Sequence, residues 1–383
     1  MAQNICVEGL FLHRRYLGSG VHGYTVSLLR QMERLTAGED EISIRVLVPE
    51  LDQIDGAPSS RRGFELIPTP AMRRKKLWRL GLFMWAAQRL RPDVLFLPFP
   101  FPICVKPMRL AVTVHDIIPL LFPLPSRSPS AWAFRQSFSS SLRGADLVLT
   151  NSEYSKRDMV SVCGIPPERI IVTHFAFDRD AFKPDPASPS DRESIFARYG
   201  IRDPYVLHVG NMEPRKNLVR LVQAYRLLGE RRKDFSLQLV LCGGQNWGCE
   251  ELSRVVRQPV PQGKVILTGV APAHELAVLY RGAAGFAMPS LYEGFGVPPL
   301  EAMASGVPVM CSNRSSLPEV AGDAALYFDP ESVEQISAAM ERLLTDSALR
   351  EQLIERGLRR ACQFSWEKCA AQTLFALKAL SAS

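Results

Sequence analysis

At 383 residues, with 46% apolar and 22% charged side chains, the chain has the make-up of a folded globular protein long enough for two domains of ordinary size. It shows no basic segment leading into an apolar signal core, and no apolar run approaches the roughly 20 residues of a membrane-spanning helix, so a cytoplasmic chain is expected. The eight cysteines are scattered without a C-x-x-C pair, which argues against a zinc site or a disulfide framework, and the net charge of +7 favours anionic partners.

The first predicted strand, 4–10, is followed by Gly18-Ser19-Gly20-Val21-His22-Gly23 and a helix over about 21–35. The spacing is G-x-G-x-x-G, but about seven residues part it from the strand, whereas the dinucleotide fingerprint begins at the strand end. We read it instead as a glycine-rich loop whose backbone, around Gly18 and Gly20, can approach a diphosphate or an acceptor. Strands are predicted at 42–48, 64–67, 94–97, 110–114, 147–150 and 170–173, with helical stretches between several of them. That alternation implies a parallel sheet with ligands at the carboxyl ends of its strands, and His115 falls at such an end.

Residues 71–91 hold seven cations (Arg73, Arg74, Lys75, Lys76, Arg79, Arg89 and Arg91) and no acid, so the rest of the chain is close to neutral. They are mixed with Trp78, Phe83 and Trp85. Two readings stand together: an amphipathic helix meeting anionic lipid, and a helix whose apolar face packs on the sheet. Between 175 and 200 the composition turns to Asp, Pro and Ser, which reads as the interdomain linker. Asp178-Arg179-Asp180 there imitates a D-x-D metal motif but is read as linker chemistry, and no metal is expected.

A second domain opens with a strand at 205–209 and the loop Gly210-Asn211-Met212-Glu213-Pro214-Arg215-Lys216-Asn217. Two cations at the mouth of a strand-to-helix loop suit a diphosphate, the arginine gripping two oxygens and the lysine acting as a point charge. Further strands are predicted at 237–242, 265–268, 285–288, 307–311 and 325–328, and the tail is helical from about Val333, with Ser332 as its N-cap. After the strand ending at Met288, a turn carries Glu293, Phe295 and Gly296. Pro298 and Pro299 start a helix through Leu300 and Glu301, and Gly306 ends it. One carboxylate thus lies in the loop and a second eight residues on, with a helix N-terminus between them. A sugar nucleotide has matching needs: hydroxyls at either end and a diphosphate in the middle.

Tyr292-Glu293-Gly294-Phe295-Gly296-Val297-Pro298 and Leu300-Glu301-Ala302-Met303-Ala304-Ser305-Gly306-Val307-Pro308 resemble the EX7E signature of the family 4 retaining glycosyltransferases. Glu213-Pro214-Arg215-Lys216-Asn217 is similar to the same family's phosphate loop. The resemblance implies a GT-B fold, two Rossmann-like α/β domains facing across a cleft, here 1–176 and 177–365, with a last helix, 366–383, returning to the first. It implies a cytoplasmic enzyme, able to meet the inner face of the membrane through 71–91, that moves a hexose from a nucleotide diphosphate sugar to a saccharide or lipid-linked saccharide, with retention and without metal or other cofactor. By matching positions, Glu293 would hold hexose hydroxyls, Glu301 the ribose, and Arg215 and Lys216 the leaving diphosphate. His115 would touch the hexose and Gly20 line the diphosphate, while Phe295, Gly296 and Leu300 would flank the nucleotide sugar. Many members carry an arginine where this chain has Asn211, so charge compensation would rest on Arg215 and Lys216.

His-Asp-Ile-Ile-Pro-Leu, Glu-Pro-Arg-Lys-Asn and Phe-Ser-Trp-Glu-Lys look most like bacterial mannosyltransferases of surface polysaccharide synthesis that use GDP-mannose. UDP-glucose, UDP-GlcNAc or a deoxysugar donor fits the same loops. A non-hydrolysing sugar-nucleotide epimerase and a non-catalytic sugar-nucleotide-binding partner are the rivals from other classes. Nucleic acid is not an expected partner.

Overall fold

The computed structural model describes residues 3–69, 76–100, 108–122, 129–186, 188–232, 236–246, 248–261 and 263–382. The chain divides into two compact units, Met1–Phe175 with Ser365–Ser383, and Ala176–Phe364.

In the first unit, strands β1 (Gln3–Glu8), β2 (Ile42–Val48), β3 (Phe64–Pro68), β4 (Val94–Leu97), β5 (Arg109–Val114), β6 (Leu147–Thr150) and β7 (Ile170–Val172) form a parallel sheet ordered β3-β2-β1-β4-β5-β6-β7. Every residue of β4 and β6 is buried, as expected where helices cover both faces and the strand is one apolar run. Helix Gly20–Leu35 packs against the last helix, Trp366–Ala382, which buries Cys369, Ala370, Leu374 and Leu377 in this unit.

The second unit contains β8 (Tyr205–Val209), β9 (Leu237–Cys242), β10 (Gly263–Gly269), β11 (Gly285–Met288), β12 (Val309–Ser312) and β13 (Ala325–Phe328), a parallel sheet ordered β10-β9-β8-β11-β12-β13. Val206, Leu239, Ala287 and Met310 from its strands share one core with Leu221, Val222, Ile336 and Leu343 from helices Leu218–Arg231 and Val333–Thr345. In both sheets the strand order reverses direction at the centre, between β1 and β4 and between β8 and β11. A crevice for a ligand opens outside the carboxyl ends of strands at such a point.

Two expectations are refined. The 175–200 stretch is not linker throughout, because Pro189–Tyr199 is a helix. Ser188 Oγ accepts from Asp191 N–H at 3.1 Å, Pro189 begins the helix where an N–H is not needed, and Gly200 closes it in the left-handed region. Its buried Ile195 and Phe196 outweigh a polar composition. Asp178 Oδ1 accepts from the N–H groups of Asp180 and Ala181, and Arg179 donates to the carbonyls of Cys362 and Phe364, so the Asp178 carboxylate closes a turn.

Of the basic segment 71–91, residues 71–75 lie outside the described residues. Lys76–Arg89 is helical, with Phe83, Met84 and Ala87 buried in the core beside Leu95 and Leu97. Trp85 is half exposed, with the Arg89 guanidinium 3.8 Å from its ring centre. Among the described residues, no helix is long and apolar enough to cross a membrane.

Candidate active site

The β8–β11 switch point brings two loops together: 210–217 after β8, and 289–296 after β11. Leu291 N–H donates to Arg215 O at 2.8 Å, tying one loop to the other. Asn217, at φ 58°, turns the first loop into helix Leu218–Arg231, and its Nδ2 donates to the carbonyls of Pro289 and Pro330 at 3.1 and 2.6 Å.

The three charged residues that the sequence assigns to separate parts of a ligand are in contact. Glu293 Oε1 accepts from Lys216 Nζ at 2.6 Å, and its Oε2 from Arg215 at 2.9 Å. Arg215 also donates to Tyr292 O at 3.1 Å and to Glu213 Oε2 at 3.0 Å. Burial by itself would raise the Glu293 pKa, but Lys216 and Arg215 hold it down at about 2. For Lys216 burial is the larger influence and lowers its pKa, with Glu293 opposing. Two cations therefore face two carboxylates, Glu213 and Glu293. The sequence places both cations at the mouth of this loop, and the structure adds that each is already paired with a carboxylate, so what they present outward is fixed N–H directions rather than a net positive field.

Helix Val297–Ala304 starts from Gly296, whose φ of 103° and ψ of 65° favour glycine, and where a Cβ would lie 2.8 Å from Leu317 Cδ2. Because Pro298 and Pro299 carry no N–H, the helix mouth has fewer donors than its position suggests. Phe295 and Leu300 are interior: Phe295 packs edge-on against Phe364 with centroids 5.8 Å apart, and Leu300 is fully buried. With both side chains in the core, the surface these two positions offer a ligand is backbone. Asn211 is exposed at the start of its loop.

Glu301 lies inside that helix and accepts from Tyr280 OH at 2.8 Å. Burial raises its pKa to about 7, and Asp178 adds to the rise, with the tyrosine bond opposing both. The two acids of the motif are thus held in different states, one ionised by cations and one poised near neutrality.

In the first unit, His115 follows β5. Its Nε2–H donates to Pro98 O at 3.1 Å, which leaves Nδ1 as an acceptor. Tyr24 and Phe175 stand edge-on at 4.8 and 5.0 Å, and burial lowers the imidazole pKa to about 4, so it is neutral at pH 7. Gly18 and Gly20 are exposed where helix Gly20–Leu35 begins, and a Cβ at either would meet nothing within 4 Å. Two short 3-10 turns, Leu10–Leu12 and Arg14–Tyr16, separate this loop from β1, consistent with setting aside the dinucleotide fingerprint.

Residues 18–181 match the model for Glycosyltransferase Family 4 and residues 191–360 that for Glycosyl transferases group 1. The chain is 40% identical over 275 residues to O-antigen chain mannosyltransferase B of Escherichia coli, covering 71% of each chain. It belongs to the family 4 glycosyltransferases. It is also 31% identical over 272 residues to the serotype-specific mannosyltransferase WbdA of Escherichia coli, of whose length it spans about a third, 32%. Sucrose-phosphate synthase from Thermosynechococcus elongatus superposes with a TM-score of 0.73 at 20% identity over 99% of both chains. WaaG, a glycosyltransferase involved in lipopolysaccharide biosynthesis, gives 0.68 at 18% identity over 98% of this chain and 99% of that one. The fold is GT-B, and the chain is a glycosyltransferase.

Sequence reasoning missed several residues that shape this glycosyltransferase's site. Ser315 Oγ accepts from Glu293 N–H at 3.0 Å, and Ser316 Oγ lies 3.0 and 2.7 Å from the carbonyls of Glu293 and Phe295, sharing one proton between them. Both come from the turn after β12, about twenty positions away, and no local pattern announces them. Tyr280 reaches Glu301 from helix Ala273–Gly282 in the same way. Asn217 stood inside the quoted loop motif, and its place before a helix was the available signal.

Proposed function

We propose that this glycosyltransferase transfers mannose from GDP-mannose, with retention and without a metal, to a saccharide or lipid-linked saccharide. The observation that carries the diphosphate reading is the buried Arg215–Lys216–Glu293 cluster at the β8–β11 switch point. Arg215 and Lys216 supply directed donors to the leaving diphosphate as its charge develops, so the stabilisation is in place before the bond breaks. Glu293, its geometry fixed by both cations, keeps lone pairs for hexose hydroxyls. Glu301 accepts from the ribose hydroxyls, and His115 offers its Nδ1 lone pair to the hexose. Retention follows from front-face attack assisted by the leaving phosphate. The similarity to O-antigen chain mannosyltransferase B and to WbdA supports mannose over other sugars. A UDP-sugar donor is the second reading, favoured by the Anabaena Alr3699/HepE structure in complex with UDP-glucose, which superposes with a TM-score of 0.71 at 17% identity over 98% of this chain and 99% of that one.

Thermal stabilisation by GDP, UDP, ADP, dTDP, GDP-mannose and UDP-glucose tests the donor. Melting-point rises confined to GDP and GDP-mannose, and mannosyl transfer that continues in EDTA, are expected. A preference for UDP overturns mannose, loss of transfer in EDTA overturns metal independence, and no rise with any nucleotide overturns the site.

A further inference from the structure

His208, near the end of β8, is fully buried next to the cation pair. Its Nδ1 lies 2.9 Å from Ala287 O on β11. A carbonyl only accepts, so Nδ1 carries the hydrogen and Nε2 keeps its lone pair. Among the described residues nothing hydrogen-bonds to that lone pair. Burial keeps the imidazole pKa at about 4, so the lone pair is present throughout the neutral range.

Gly210 relates this nitrogen to Lys216. A Cβ on Gly210 would stand 3.4 Å from Lys216 Nζ and 3.6 Å from His208 Nε2. The ammonium and the imidazole nitrogen both border the space that a larger residue would fill. Lys216 has three N–H donors, and among the described residues its hydrogen-bond acceptor is Glu293 Oε1. A buried donor and a buried acceptor, each with capacity to spare, are thus held within reach of one point beside the loop that meets the diphosphate.

We propose that His208 is a positioning residue for Lys216: its Nε2 accepts a second ammonium N–H, directly or through one water in the Gly210 space, and so aims the third at a phosphate oxygen of the donor. The inference rests on Lys216 being a diphosphate ligand, and it adds a partner that holds the lysine in place. The Nδ1–H bond to Ala287 fixes the tautomer, as the orienting partner does for a metal-bound or catalytic histidine.

The test is calorimetric binding of GDP, GMP, UDP and UMP to the full chain and to His208→Phe, His208→Gln, Lys216→Ala and the His208→Phe/Lys216→Ala double variant. His208→Phe keeps the ring and is expected to weaken diphosphate binding about ten-fold, the scale of a hydrogen bond to a charged group, with monophosphate binding unchanged. His208→Gln, whose amide oxygen can stand near the Nε2 position, should recover most of the loss. In the Lys216→Ala background His208→Phe should change nothing further. Unchanged diphosphate affinity in folded His208→Phe overturns the proposal, as does a loss that persists without Lys216. If His208→Phe does not fold, His208→Asn takes its place, since it can donate to Ala287 but has no acceptor at Nε2. A wild-type chain that binds neither diphosphate overturns the site reading and this proposal together, whereas wild-type binding with a silent His208 variant overturns this proposal alone.

Discussion

Glu293 and Glu301 are eight positions apart in one motif, yet their surroundings prepare them for different work. Glu293 is paired with two cations, so removing it leaves Arg215 and Lys216 with Glu213 as the one carboxylate against two positive charges. Glu293→Ala is expected to cost about 3–5 kcal/mol of stability, as for other broken buried pairs. Chemical denaturation checks this, and a cost below about 1 kcal/mol would show the cluster to be effectively solvated. Turnover should fall as well, since the same substitution releases the two side chains proposed to meet the diphosphate.

Glu301 predicts a pH dependence with two opposite signs. Its pKa in the folded chain is about 7 against an ordinary 4.5, so the folded state holds this proton more tightly than the unfolded one. The stability it contributes is fully present below the ordinary value and is lost as the pH rises towards 7. Nucleotide binding runs the other way, because hydroxyl donors need the carboxylate: affinity should fall as the pH drops from 8 to 6, with proton release on binding. Titration calorimetry of Glu301→Gln should show weak binding with that slope removed, and an unaltered slope would detach Glu301 from the ribose.

Among the elements, the ends of β8 and β9 decide whether the 210–217 loop has its shape. Gly243 has φ +151°, and a Cβ there would fall 2.0 Å from Gly210 O, so backbone, not a yielding side chain, stands in the way. Gly243→Ala is expected to displace the Gly210 turn and, through it, Lys216, and to destabilise the chain by at least the roughly 1–3 kcal/mol of a strained backbone position. Loss of nucleotide-induced thermal stabilisation beyond the drop in melting point is the specific sign. A variant that binds as tightly as wild type would mean that the loop does not depend on this contact.

Charge is a property of the molecule as a whole, and here the seven cations of 71–91 match the net charge of +7. The described helix buries Phe83, Met84 and Ala87 while Trp85 stays half exposed under Arg89. These buried positions match the packing reading, while most of the cations on which the lipid reading rests lie among positions 71–82, whose side chains are not described. Under the proposed lipid-linked acceptor, the chain should sediment with vesicles containing anionic lipid at low salt and release at high salt. Replacing Arg73, Arg74, Lys75 and Lys76 by Ala should abolish this while leaving nucleotide-induced stabilisation intact. Sedimentation indifferent to both salt and these cations would remove the electrostatic contact.

The parallel α/β class, the positions of the strands and the motif acids were legible in the sequence. Each depends on patterns a few residues long: apolar runs for strands buried on both faces, proline and glycine for helix ends, and spacing for the EX7E stretch. The helix at Pro189–Tyr199 was hidden because its apolar face is just Ile195 and Phe196 amid polar residues. What the tertiary structure alone decided is how the charges meet. Arg215 and Lys216 come from a loop nearly eighty positions before Glu293, and strand pairing of β8 with β11 puts them on one carboxylate. The neutral His208, whose Nε2 has no hydrogen-bond partner among the described residues, and the poised Glu301 likewise exist only once distant elements bury them, because desolvation belongs to a folded neighbourhood and not to any local run of residues.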